Sequence, residues 1–213
     1  MQDAVTKEMF FQALIDRHGK TNQEKFSGAT VAICGLGGLG SNIAICLARA
    51  GIGKLILIDF DEVDVTNLHR QQYKFSQVGK PKAEALKANL LEINPFIEIE
   101  AHQVMVTENN LENLIYEADI FFEAFDKAEE KAMLVNSVLS RFPDKYLLSG
   151  SGMAGFGSAN EIKTKRLSKH FYMSGDGVSD VNDGIGLISS RVMACAAHEA
   201  HMVLRILMGE MEP

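Results

Sequence analysis

The sequence predicts an α/β fold in which a mostly parallel sheet carries helices on both of its faces. Its first support is the run ATVAIC at 29–34, which indicates a buried strand and leads through a glycine turn into apolar residues at helical spacing. A second β-rich run, KLILID at 54–59, follows after a short link, so strand, helix and strand close as a parallel βαβ unit. Beyond it, strand-like and helix-like segments alternate, as they do in α/β proteins.

The other elements are predicted within a single domain, 1–213, which divides into an N-terminal helix at 1–27, a core at 28–150 and a C-terminal region at 151–213. In the core the pattern predicts, in order, a helix from Pro81, a strand at 96–104, a helix at 107–118, a strand at 119–125, a helix at 126–142 and a strand at 145–150. Short alternating stretches at 159–167 and 170–173 predict a smaller group of strands, which we expect to be antiparallel. The final helix, at 186–209, is apolar around most of its circumference, which indicates burial or a subunit interface.

The charge balance narrows the classes of partner. With a formal net charge of −7, we expect neither nucleic acid nor a membrane surface as a general partner. The first twenty residues mix acidic with apolar side chains, which favours an amphipathic helix over a signal peptide and predicts a cytoplasmic location. Charged residues in the final helix, such as Arg191 and Glu199, argue against a membrane span.

The three cysteines predict neither a zinc centre nor a disulfide framework. Cys34, Cys46 and Cys195 each lie in an apolar segment, and the sequence contains no C-x-x-C pair. We therefore expect buried free thiols and no zinc.

The glycine turn GLGGLGSNIA at 35–44 predicts a binding site for an anionic ligand. Gly35, Gly37 and Gly40 form a G-x-G-x-x-G pattern that lets a strand turn tightly and a helix N-terminus approach negative charge. Asp59 ends the second strand, where a carboxylate can accept hydrogen bonds from ribose hydroxyls. This much suits any adenosine ligand, and an NAD(P)-dependent oxidoreductase is one alternative.

The cations downstream favour ATP over a redox dinucleotide. Arg70 lies in the polar segment 60–80, and Lys80 and Lys82 stand near a helix start, which is more positive charge than a pyrophosphate on a glycine turn needs. We expect Arg70 and Lys82 to bind phosphates, and Lys80 to be exposed. Asp126, at the predicted end of a strand, could hold Mg²⁺ through its carboxylate or cap the following helix.

Four features together resemble the ThiF/MoeB adenylyltransferases, relatives of the ubiquitin-activating enzymes. They are GLGGLGSNIA with its G-x-G-G-x-G pattern, LIDFDEVDVTNLHRQ at 57–71, GKPKAEAL at 79–86, and the strand-end Asp126. The resemblance covers about residues 28–160. EAFDKAEEKAML at 123–134, SGSGMAG at 149–155 and RVMACAAHEAH at 191–201 are similar to a compact ThiF-like subgroup associated with thiamine biosynthesis.

The resemblance implies a Rossmann-like fold, a ligand and a reaction. ATP would bind with Mg²⁺ on Asp126, and a small ubiquitin-like sulfur carrier protein ending in Gly-Gly would attack its α-phosphorus, giving a carrier acyl-adenylate and pyrophosphate. The chain would act as a homodimer in which Arg17 of one subunit reaches the phosphates bound by the other. The implied ATP-binding residues are Gly35, Gly37, Gly38, Gly40, Asp59, Asp61, Asn67, Arg70 and Lys82; those implied in catalysis are Arg70, Lys82, Asp126 and Arg17.

Other functions remain open at this point. A carrier adenylyltransferase of the molybdopterin pathway would use the same residues, and a non-catalytic scaffold could keep the fold and bind a ubiquitin-like partner. The chain lacks the C-x-x-C pairs and the sulfurtransferase-like extension of longer relatives, so adenylation is better supported than sulfur transfer.

Overall fold

The computed structural model describes residues 5–213. The expected N-terminal helix is two helices, α1 (Lys7–His18) and α2 (Lys20–Gly28), and the part of that prediction at 1–4 lies outside the described residues. Thr6 caps α1 by accepting a hydrogen bond from the Met9 amide at 3.2 Å. Gly19 separates the helices because its φ of 80° ends α1.

Seven strands form one sheet in the described chain, in the order β3-β2-β1-β4-β5-β7-β6. Their bounds are β1 Thr30–Cys34, β2 Lys54–Ile58, β3 Glu98–His102, β4 Ile120–Glu123, β5 Tyr146–Gly150, β6 Lys163–Arg166 and β7 Phe171–Gly175. Every neighbouring pair is parallel except β6 with β7. The predicted mostly parallel α/β sheet is confirmed.

Five further helices complete the described fold: α3 Gly38–Ala50, α4 Lys82–Ile93, α5 Leu111–Ile115, α6 Ala128–Arg141 and α7 Ser189–Met208. One apolar core packs α3, α4 and α7 on one face of the sheet, and a second packs α5 and α6 on the other. Helices therefore cover both faces, as predicted. Because the buried side of α7 packs against α3, burial within the chain accounts for many of its apolar residues.

Three predicted elements differ in the structure. The strand expected at 96–104 is shorter because its pairing extends only along β2. The helix expected at 107–118 begins at Leu111, since the Asn110 side chain accepts from the Thr107 amide and donates to the Met105 carbonyl, which holds a turn before it. The late strands are not both antiparallel, because β7 joins β5 in parallel register.

The cysteine prediction was wrong at one position. Cys34 in β1 and Cys195 in α7 are buried, but Cys46 lies on an exposed position of α3. An apolar segment of an amphipathic helix still has one outward side, and Cys46 occupies it.

In the part of the chain that the structure describes, no helix combines the length and the apolar character that a membrane crossing requires.

Candidate functional site

A cavity of about 690 Å³ lies at the carboxyl edge of the parallel strands, where open α/β sheets bind ligands. It brings together most residues that the sequence singled out: Gly35, Gly37, Gly38, Asp59, Asp61, Asn67, Arg70, Lys82 and Asp126. Gly40 and Arg17 do not line it. Arg17 is exposed on α1, and its expected action on a second subunit stays a prediction.

The glycine turn connects β1 to the N-terminus of α3. Gly35 has a φ of 94°, and a Cβ there would lie 2.7 Å from the Ala124 carbonyl oxygen. No side-chain cap covers the start of α3, so backbone amides of its first turn face the cavity edge. Gly40 lies in the first turn of α3, where the lack of a side chain allows the helix to approach the glycine turn, and it does not line the cavity.

Asp59 is held rigidly at the end of β2. Its Oδ2 accepts the Leu36 amide at 2.6 Å, and its Oδ1 accepts the Asp61 amide at 2.8 Å. Burial raises the pKa of this carboxyl, while the ammonium of Lys82 opposes the shift. The arrangement fixes a carboxylate beside the glycine turn.

Lys82 is a buried cation on the cavity wall. Its Nζ donates to Asp61 Oδ2 at 2.7 Å and lies 3.9 Å from Asp59 Oδ2. The side chain is 6% exposed, and α4 begins at Lys82, with Pro81 as its N-cap. An ammonium has three donors, so it can bind a further anion beside these carboxylates. Lys80, which we predicted to be exposed, is exposed.

Arg70 is a cation that pairs with no carboxylate of the described residues. Its Nη2 donates to Asn67 Oδ1 at 3.0 Å and its Nη1 lies 3.3 Å from His69 Nε2, while its Nε is buried with no partner. Burial lowers the pKa of the guanidinium, and the Asp126 carboxylate opposes that shift. An incoming anion would supply the missing partner.

Asp126 lies three residues beyond the end of β4, not at the end of the strand as we predicted, because strand pairing stops at Glu123. It does not cap the following helix either, since Lys127 is the N-cap of α6. Within residues 5–213 no cluster of three or more His, Cys, Asp and Glu side chains could hold a metal by itself. A single carboxylate fits Mg²⁺ when phosphate oxygens and waters supply the other ligands.

The far side of the cavity contains residues that the sequence reasoning missed. Lys131 of α6 lines it and pairs at 2.5 Å with Glu123, the last residue of β4. The loop 150–154, which begins with the last residue of β5, lines it too, and the bridge between Ala154 and Leu187 holds that loop against a second one. Lys131 stands five residues after Asp126, a spacing that would have suggested a neighbouring position near the start of α6.

Comparisons with known sequences identify a protein family. The sequence profile of the ThiF family matches residues 11–213. The tRNA threonylcarbamoyladenosine dehydratase of Bacillus subtilis (strain 168) is 37% identical over 153 residues, which are 71% of this chain and 59% of the relative. The adenylyltransferase and sulfurtransferase MOCS3 of Anopheles gambiae is 37% identical over 144 residues, 67% of this chain and 32% of the relative. The chain thus spans less than two thirds of either curated relative.

Among solved structures, the E. coli tRNA N6-threonylcarbamoyladenosine dehydratase TcdA, in complex with ATP, superposes with a TM-score of 0.86 at 22% identity, covering 97% of this chain and 98% of that one. This likeness confirms the Rossmann-like fold. The family match takes in the glycine turn, the loop of Asn67 and Arg70, and the positions of Lys82 and Asp126. This chain therefore belongs to the ThiF family.

Proposed function

We propose that this chain is an ATP-dependent adenylyltransferase that activates the C-terminal glycine carboxylate of a small ubiquitin-like sulfur carrier protein. The observation that carries the proposal is the half-buried guanidinium of Arg70, which has no ion-pair partner among residues 5–213 and lines the same cavity as the buried ammonium of Lys82. Two cations held in one cavity, one of them without an anionic partner, suit the phosphates of ATP better than a dinucleotide.

The residues that line the cavity position the two substrates and neutralise the charge of the phosphates. Asp59 binds the ribose, with one lone pair on each oxygen still available beside its backbone bonds. Asn67, Arg70 and Lys82 hold the phosphates. A carboxylate oxygen of the carrier forms a bond to the α-phosphorus while the bond to pyrophosphate breaks, and no base is required because the carboxylate is already ionised.

Asp126 would hold Mg²⁺ in this reaction. The ion, when bound together with phosphate, supplies charge neutralisation for the departing pyrophosphate. The carboxylate of Asp126 has no cap hydrogen bond to satisfy it and lines the cavity, which supports this role.

The finer assignment is to thiamine biosynthesis, with the chain acting as a homodimer that places Arg17 of one subunit at the phosphates of the other. Its support is the sequence resemblance of the segments at 123–134, 149–155 and 191–201. A molybdopterin-pathway carrier would require the same chemistry.

A second candidate is a carboxylate on a modified tRNA nucleoside. It is favoured by the 37% identity to a tRNA threonylcarbamoyladenosine dehydratase. The formal net charge of −7 favours a protein carrier over a tRNA, because nucleic-acid binding depends on positive surface charge.

Exchange of labelled pyrophosphate into ATP tests these candidates. We expect exchange that depends on a carrier ending in Gly-Gly, and its loss in Arg70→Ala and Lys82→Ala, with Arg49→Ala on the exposed side of α3 as the matched control. The exchange rate is compared between carriers of the thiamine and molybdopterin pathways. It is also measured with tRNA that bears threonylcarbamoyladenosine. Exchange with that tRNA alone, or saturable NAD(P)H binding without exchange, would contradict the proposal.

A further inference from the structure

The ion pair of Lys131 and Glu123 is held by more hydrogen bonds and is more deeply buried than a surface ion pair. Glu123 is fully buried, and its Oε2 accepts both the Lys131 ammonium and the Ser149 hydroxyl at 2.5 Å. Its Oε1 accepts the Phe125 amide at 2.8 Å. Every oxygen of this carboxylate is therefore bound, and the ammonium is held at one place on the cavity wall.

The ammonium of Lys131 retains the capacity to bind a ligand. It has three donors and gives one to Glu123, and its side chain is 28% exposed at the cavity. A second carboxyl nearby, on Glu199, is buried without a hydrogen-bond partner, and burial raises its pKa well above the ordinary value. Burial therefore disfavours the charged form of this carboxyl.

The geometry repeats that of Lys82. Each ammonium stands on the cavity wall and is held by a carboxylate at or just after the carboxyl end of a strand, Asp61 after β2 and Glu123 in β4. The two pairs lie on opposite sides of the crevice between β1 and β4, because Asp61 follows β2, which lies beside β1, and Glu123 ends β4. At the sheet spacing of about 4.8 Å per strand, β2 and β4 are roughly 10 Å apart.

The side near Lys131 is shaped for a small group. Its wall is the segment 150–154, in which Gly150, Ser151, Gly152 and Ala154 carry little or no side chain and Met153 is the one long side chain. The residues assigned to the glycine turn and the ribose follow β1 and β2, whereas Glu123 ends β4.

We propose that Lys131 binds the carboxylate that is to be adenylated, donating to the oxygen that does not attack the α-phosphorus. The inference rests on the proposed function and assigns its acyl subsite to Lys131, Glu123 and the loop 150–154. Glu123 is a positioning residue, which acts by holding the ammonium, and Lys131 contacts the substrate. The same donor remains on the acyl oxygen once the adenylate has formed.

Two analogues that differ only in the acyl group test this assignment. They are 5′-O-sulfamoyladenosine and its N-(acetylglycyl) derivative, whose acetyl amide matches the last peptide bond of a glycine-ended chain. Calorimetry gives the ratio of their dissociation constants for each variant. Because misfolding lowers the active fraction without changing this ratio, Lys131→Met can be interpreted even if it is less stable.

We expect the acetylglycyl group to tighten binding to the wild-type protein, and Lys131→Met to reduce that gain roughly 10- to 100-fold, the effect of a hydrogen bond from a charged donor. Lys131→Arg retains part of the gain. Lys54→Met is the matched control, since Lys54 is also held by carboxylates but begins β2 at the opposite edge of the sheet. The ratio of the two dissociation constants for Lys54→Met should equal the ratio for the wild-type protein.

The outcomes separate the two proposals. A wild-type gain that Lys131→Met leaves unchanged would overturn the role of Lys131 and leave adenylation of a glycine intact. Absence of any acyl gain in the wild-type protein would count against the glycine carboxylate as substrate and against the subsite together.

Discussion

The Cα of Gly40 faces the carbonyl oxygen of Gly35 so closely that a Cβ on Gly40 would lie 1.9 Å from that oxygen. Both partners are backbone, so neither can move aside as a side chain would. The contact joins the first turn of α3 to the glycine turn, and the shape of the cavity floor depends on it.

Replacement of Gly40 by Ala should therefore destabilise the protein. We expect a loss of about 1–3 kcal/mol or more in the free energy of unfolding, because overpacking against backbone forces the helix away from the sheet. Urea denaturation measures it. Gly28→Ala, at the end of α2 with no atom within 4 Å of the new Cβ, is the control and should cost little. Equal stability of both variants would refute this account of the turn.

Arg70→Met should separate ligand binding from stability. The half-buried guanidinium has no ion-pair partner within residues 5–213, so its removal should leave the melting temperature unchanged or slightly higher. ATP binding should weaken by roughly 1.5–3 kcal/mol, the worth of a hydrogen bond to a charged group. Calorimetric titration with ATP and thermal unfolding of the same samples check both effects, with Arg49→Met as the control. A large fall in melting temperature would show that Arg70 is structural.

Glu199→Gln should stabilise the protein increasingly as pH rises. The pKa of Glu199 is raised in the folded protein by burial, so the wild-type protein loses stability between the unfolded pKa, about 4.3, and the raised folded value. Over that range the variant should gain up to about 1.4 kcal/mol per pH unit relative to the wild type, with little difference at lower pH. Urea denaturation across pH measures the gain. Glu210→Gln, at an exposed position, should show no such trend.

The cysteines should differ in their reaction with a thiol reagent. Cys46 is exposed, whereas burial raises the pKa of Cys34 to about 12 and raises that of Cys195 as well. We expect one thiol to be labelled quickly in the native protein and three in urea, counted by intact mass. Cys46→Ser should abolish the fast reaction. Fast labelling that survives this substitution would show that another cysteine is accessible.

Local patterns predicted the first βαβ unit and most of the cavity. The turn at Gly35, the end of β2 at Asp59 and the start of α4 near Pro81 are each set by residues within a few positions, so the sequence was sufficient there. Asp126 was placed on the cavity as expected but not at the end of its strand, since the length of β4 depends on its pairing with β1 and β5.

What the sequence did not predict depends on contacts between distant segments. The parallel pairing of β7 with β5 and the bond between Lys131 and Glu123 both arise from the assembled sheet. The periodicity of apolar residues along the sequence does not predict that a lysine of one helix contacts the last residue of the preceding strand. The expected role of Arg17 depends on a second subunit and remains a prediction.

The order of the strands explains why such different segments meet. The chain moves outward from β1 to β2 and β3, then returns to place β4 on the other side of β1, so that α3 and α6 leave the sheet toward opposite faces. An opening between β1 and β4 is then unavoidable, whatever side chains surround it. Loops at its rim can change to accept a new acyl donor while the nucleotide keeps its place, which gives a small scaffold room to diversify its substrates.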